Sequence, residues 1–150
     1  MFSLRLAQSI QDHWEQIASD TIQRIRQDQD VPHMAKLRDV ELRNWVRGIL
    51  DTIQFWPSDG VGQKNAERFQ RLGRHRFETA IPLEEAVCCL HILKSKLFDF
   101  TRSRGFAQSP IEVYAQEELE HQVGLFFDRL VFYAVRGYEE ARRRSGQAAV

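Results

Sequence analysis

Residues Leu72–Phe100, LGRHRFETAIPLEEAVCCLHILKSKLFDF, decide how this chain folds. Within them Leu83, Ala86, Val87, Leu90, Leu93, Leu97 and Phe100 recur at three- and four-residue steps. That spacing gathers side chains on one face of an α-helix, and an apolar arc so wide must be buried by neighbouring elements. Pro82 stands at the helix start, where a missing N–H costs nothing, and Glu84 and Glu85 suit the positive end of the helix dipole. Upstream, Ala66, Phe69, Leu72, Gly73, Phe77 and Ala80 form the inner face of a third helix predicted over about Val61–Thr79. Glycine inside a helix costs about 1 kcal/mol relative to alanine. Gly73 on a buried face therefore predicts a second helix crossing very close to it.

Working outward, the first helix is predicted from Ser3 to about Asp28, with Ile10, Trp14, Ile17, Thr21 and Ile25 on one side. His13 lies at the edge of that stripe and is expected in solvent. The polar run from Gln27 to Leu37 contains Pro32 and reads as a connection with room for one helical turn. Asp39 is the predicted N-cap of the next helix, which buries Leu42, Trp45, Val46, Ile49, Leu50, Ile53 and Trp56 and stops at Pro57 and Ser58-Asp59-Gly60. Thr101–Ser109 reads as a loop. Ser109 as N-cap and Pro110 at the first position open the last and longest helix, which reaches about Arg143. Residues 144–150 read as a fraying tail. The expectation is an all-α fold of about five to six helices in one domain spanning residues 1–150.

The last helix has more apolar surface than one core can cover. Leu119, Val123, Phe126, Phe127, Leu130, Ala134 and Tyr138 make one broad face; Tyr114, Leu125 and Phe132, with Val135 nearby, make another nearly opposite. The second stripe asks for a second partner, and a symmetric homodimer is the simplest one. The alternative places these residues beneath the Thr101–Ser109 loop or the first helix.

Composition excludes several functions. Lys+Arg and Asp+Glu number 21 each, so the chain lacks the basic field that nucleic-acid binding needs. Apolar runs such as Leu130–Val135 are far short of the roughly 20 residues of a membrane span. Three Trp and ten Phe supply enough apolar surface for a core. Cys88 and Cys89 are adjacent, so they point about 100° apart on a helix and do not bridge. Cys89 is expected buried, Cys88 more exposed, and the usage suits a reducing cytoplasm. No Gly-rich phosphate loop, no HExxH motif and no Cys–His metal pattern occurs. We expect no catalysis, no metal and no cofactor. Arg76 has two readings: an ion pair or a snorkelled cation at the core margin, or a contact to an anionic ligand. His91 and Lys94 lie at and within the apolar arc of the central helix. With Tyr133 they make Arg76, His91, Lys94 and Tyr133 the candidate pocket for a small molecule held between the third, central and last helices.

The Leu72–Phe100 segment resembles the corresponding stretch of the N-terminal domains of RsbR stressosome proteins, the RsbT co-antagonist family. The resemblance extends to His13-Trp14 in the opening helix, to RDVELRNWVRGILDTI, and to FFDRLVFYAVRGYEEA from Phe126 to Ala141. The chain departs from the family at Ala80, where glycine often stands. The resemblance implies a globin-like fold that binds no haem, dimerises, and relays a signal in the cytoplasm to a STAS-domain or histidine-kinase output. Little room separates the third helix from the central one for a helix bearing a proximal histidine, which agrees with a non-haem reading. The alternative function is a sensor that binds a small molecule or haem in that pocket.

Overall fold

Among the described residues seven helices and no strand build the chain: α1 Leu4–Asp12, α2 Trp14–Gln27, α3 Pro32–Ala35, α4 Asp39–Ile53, α5 Gln63–Glu78, α6 Leu83–Ser103 and α7 Pro110–Ala148. The structure, a computed structural model, describes residues 4–53, 63–103 and 109–148. The stop at Trp56–Gly60 lies outside the described residues.

The predicted first helix is two. The chain bends at His13, whose backbone leaves the helical region at φ −118° and ψ 20°. The hydrogen-bond ladder still crosses the bend: His13 N–H donates to the Ser9 carbonyl at 3.1 Å, and Ile17 N–H to the His13 carbonyl at 3.2 Å. His13 is half-buried rather than in solvent. Its Nδ1 lies 2.9 Å from the Ser9 carbonyl oxygen and its ring 5.6 Å from that of Phe100. The cap of α4 also differs. Arg38 holds the N-cap place, its carbonyl accepting from Glu41 and Leu42. Asp39 is the first helical residue, with its carboxylate accepting from Arg43 Nε at 2.6 Å. Thr101–Ser103 extends α6 instead of forming loop, and both hydroxyls donate back to carbonyls of the last turn, Thr101 Oγ1 to Phe98 and Ser103 Oγ to Phe100. Ser109 caps α7 as its residue type predicts, accepting from Glu112 N–H at 3.2 Å. The helix then continues through residues 144–148 to Ala148 despite Gly146, with no proline to interrupt it.

α6 divides the interior. Leu90, Leu93, Leu97 and Phe100 join Ile17, Ile49, Leu50, Phe69, Val123, Phe126 and Phe127 in the larger cluster. Cys89 and Ile92, on its other side, join Ile22, Ile25, Val31, Met34, Leu42 and Ile81 in a smaller one. Trp45 packs on both clusters. Glu85 is buried between α6 and α3, and it caps an element other than its own. Its Oε1 accepts from His33 N–H at 2.7 Å and Met34 N–H at 3.1 Å, while Oε2 lies 2.5 Å from His33 Nδ1. A four-residue helix is too short to hold its own first turn; a buried carboxylate supplies what local chain cannot.

The tightest contact joins α5 and α7. A Cβ built on Gly73 would stand 1.7 Å from the Ala134 carbonyl oxygen, and one on Gly137 would stand 2.0 Å from that of Gln70. The two helices therefore cross backbone to backbone, the outcome the position of Gly73 predicts. α5 ends in a left-handed turn. Ala80 N–H donates to the Phe77 carbonyl and Ile81 N–H to that of Arg76, at 3.0 and 2.9 Å. This pairing is the Schellman arrangement, and it forces Ala80 to φ 60°, a conformation that favours glycine.

Candidate functional site

Where α5 and α7 cross, Trp45 of α4 and the first two turns of α6 complete a half-open cleft. Its walls are Leu72, Gly73, Leu83, Ala86, Val87, Leu90, Ala134 and Val135, with Arg76, Trp45 and Tyr138 carrying its polar atoms. It encloses ≈ 20 Å³, room for the centre of a water-sized group.

Arg76 is the unusual member. It is only 7% exposed, and its guanidinium carbon lies 5.6 Å from the centroid of the Trp45 ring. Among the described residues its guanidinium forms no ion pair and no hydrogen bond. Among the described residues it meets no carboxylate, and it lines a half-open cleft rather than pairing at the core margin. Burial lowers its pKa, opposed by the fields of Cys89 and Glu41. Neither balances it. Burial pushes the Cys89 thiol up to about 12, so it is uncharged at neutral pH. Glu41 is exposed and paired with Arg38 at 3.1 Å. Arginine stays protonated in proteins, so the cleft holds a positive charge that the face of Trp45 and the more distant Glu41 soften in part.

Tyr138 braces the opposite wall. Its hydroxyl donates to the Ile81 carbonyl at 2.8 Å, and its ring meets Phe77 edge-on at 5.5 Å. Burial pushes its phenol above the ordinary range.

Of the four candidate pocket residues, Arg76 alone lines this cleft. His91 is exposed, Lys94 is half-buried, and Tyr133 packs edge-on against Phe132 at 5.1 Å beneath Arg136. Trp45 and Tyr138 were assigned to apolar core faces by their helical spacing, which does not distinguish filling a core from edging a cleft. Val135 lines the cleft too; it follows Phe132 by three residues, which turns it about 60° away from that stripe.

A second feature lies on the outer face of α7. Tyr114 is 75% exposed, Phe132 50% and Leu125 39%. Ile111 and Val113, which the stripe as read from sequence omits, are exposed as well. Cys88 is half-buried and Cys89 buried, as their spacing predicts. Among the described residues no three His, Cys, Asp or Glu side chains gather to hold a metal ion, and no helix is long and apolar enough to cross a membrane.

The described residues thus form an all-α domain with a backbone-tight helix crossing, a cationic cleft and an apolar stripe on its longest helix. The chain belongs to the RsbT co-antagonist protein RsbRD N-terminal domain family, which matches residues 9–149. That family consists of stressosome signalling domains rather than enzymes. Neither a comparison with curated proteins nor one with solved structures found a match.

Proposed function

We propose that this chain is a dimeric, globin-like, non-haem sensor module of the cytoplasm that passes a change in helix packing along α7 to a STAS-domain or histidine-kinase output. The observation that carries the reading is the outward stripe of Tyr114, Leu125 and Phe132 on α7. Ile111, Leu125 and Phe132 are spaced by whole heptads, and Tyr114 falls three residues after Ile111, so all four occupy one seam position set of a two-helix contact. Covering them with the same helix of a second copy contributes on the order of 1–2 kcal/mol per side chain. The Gly73 and Gly137 contacts make α5 follow any movement of α7, which suits a mechanical relay.

Light scattering on the wild type and on the Leu125→Glu, Phe132→Glu double variant tests this. The wild type should be a dimer and the variant a folded monomer. A wild-type monomer, or a variant that stays dimeric, refutes the seam.

A further inference from the structure

We propose that the Arg76 cleft is a binding site for the head of a small monocarboxylate. A buried, unpaired cation is expensive, and proteins that keep one supply it with a counter-charge. Here none of the described residues does so. The two groups whose fields oppose its burial are a thiol that stays protonated and a glutamate already paired with Arg38. The face of Trp45 offsets part of the penalty but accepts none of the guanidinium's N–H donors. Those donors form a planar fork that matches the two oxygens of a carboxylate better than a spherical halide.

The surroundings select for size and polarity. With ≈ 20 Å³ of room the half-open cleft favours a compact head group. Leu83, Ala86, Val87 and Val135 among its walls are apolar, so a short aliphatic tail can lie along them. A polyanion would have to leave its second charge against those walls without a partner. The site lies within one subunit, at the α5–α7 crossing, so an occupant would stiffen the joint through which α7 moves.

Arginine Nε–Hε NMR resonances of the full chain provide the test, with the Arg76 peak assigned by its loss in Arg76→Lys. Formate, acetate, butyrate and chloride are titrated at constant ionic strength. The Arg76 peak should shift saturably with the carboxylates. Ala86→Leu, which fills the cleft and leaves Arg76 in place, should weaken the apparent affinity about tenfold or more, as loss of a charge-assisted bond pair would. An Arg76 peak that moves with no carboxylate, that responds to chloride alone, or that responds equally in Ala86→Leu overturns the proposal. Binding is read from the wild type, and should Arg76→Lys fail to fold, through-bond correlation of the arginine side chains with the backbone assigns the Arg76 peak, so the test stays intact. Titrating the Leu125→Glu, Phe132→Glu variant as well separates this site from the dimer reading.

Discussion

Replacing Gly73 with alanine sets two effects of opposite sign against each other. On helix propensity alone the change stabilises by about 1 kcal/mol. The structure predicts the reverse. The new Cβ would meet the Ala134 carbonyl oxygen at 1.7 Å, its carbon at 2.6 Å and its Cα at 3.0 Å. All three are backbone atoms, so no rotamer change relieves the clash, and α5 must withdraw from α7 by about 1.7 Å or more to restore ordinary contact. A gap of even 0.5–1 Å forfeits roughly a quarter to a half of the dispersion well for each atom pair. Overpacking of this kind costs up to about 3 kcal/mol; less the propensity gain, the net loss is about 2 kcal/mol. For a domain of this size that lowers Tm by about 4–8 °C. Gly48→Ala is the control. Gly48 is exposed on α4, and a Cβ there meets nothing within 4 Å, so Tm should rise. Differential scanning calorimetry of both variants decides the matter. If Gly73→Ala melts at or above the wild type, the backbone-tight crossing is wrong.

Ala80→Gly should stabilise. The left-handed backbone at φ 60° costs an L-residue about 1–2 kcal/mol, and glycine's greater freedom in the unfolded chain takes back about 0.5–1 kcal/mol, so Tm should rise by a few degrees, about 1–4 °C. Glu85→Ala leaves the His33 and Met34 N–H groups without their acceptor, which should lower stability by about 3 kcal/mol, seen as a lower urea midpoint at unchanged slope. Glu85→Gln keeps an acceptor oxygen and should lose less. Cys89 titrates at about 12 when folded and near 9.0 when unfolded. The folded state therefore holds its proton longer, so this contribution to stability is complete below pH 9.0 and declines as pH rises toward 12. Cys89→Ala should flatten the alkaline limb of the stability curve, and below pH 9 an alkylating reagent should modify half-buried Cys88 before Cys89.

What was legible in the sequence was what local spacing determines. The three- and four-residue steps of α6, the cap at Ser109 and the close approach at Gly73 all follow from the geometry of a helix and the size of one side chain. Ala80 was visible as a departure, and its φ shows what the departure means for the chain. The less legible features depend on partners far away along the chain. Glu85 looks like a residue serving its own helix dipole, yet its hydrogen bonds reach back 52 positions to His33. The bend at His13 breaks no periodicity, because the ladder of hydrogen bonds runs through it. Arg76 is the hardest case. A charge on an inner face predicts a carboxylate partner, and no spacing rule foretells a cation that, among the described residues, meets only the face of an aromatic ring.

The crossing of α5 and α7 behaves like a keyed shaft. Where side chains separate two helices, small slips are absorbed by rotamers, and a push at one end is lost before it reaches the other. Between Gly73 and Ala134, and between Gly137 and Gln70, there is no such padding. Sliding either rod along the other would drive a neighbouring side chain into a main-chain carbonyl. Main-chain contact holds the pair in one register, and a Cβ at either glycine would break it.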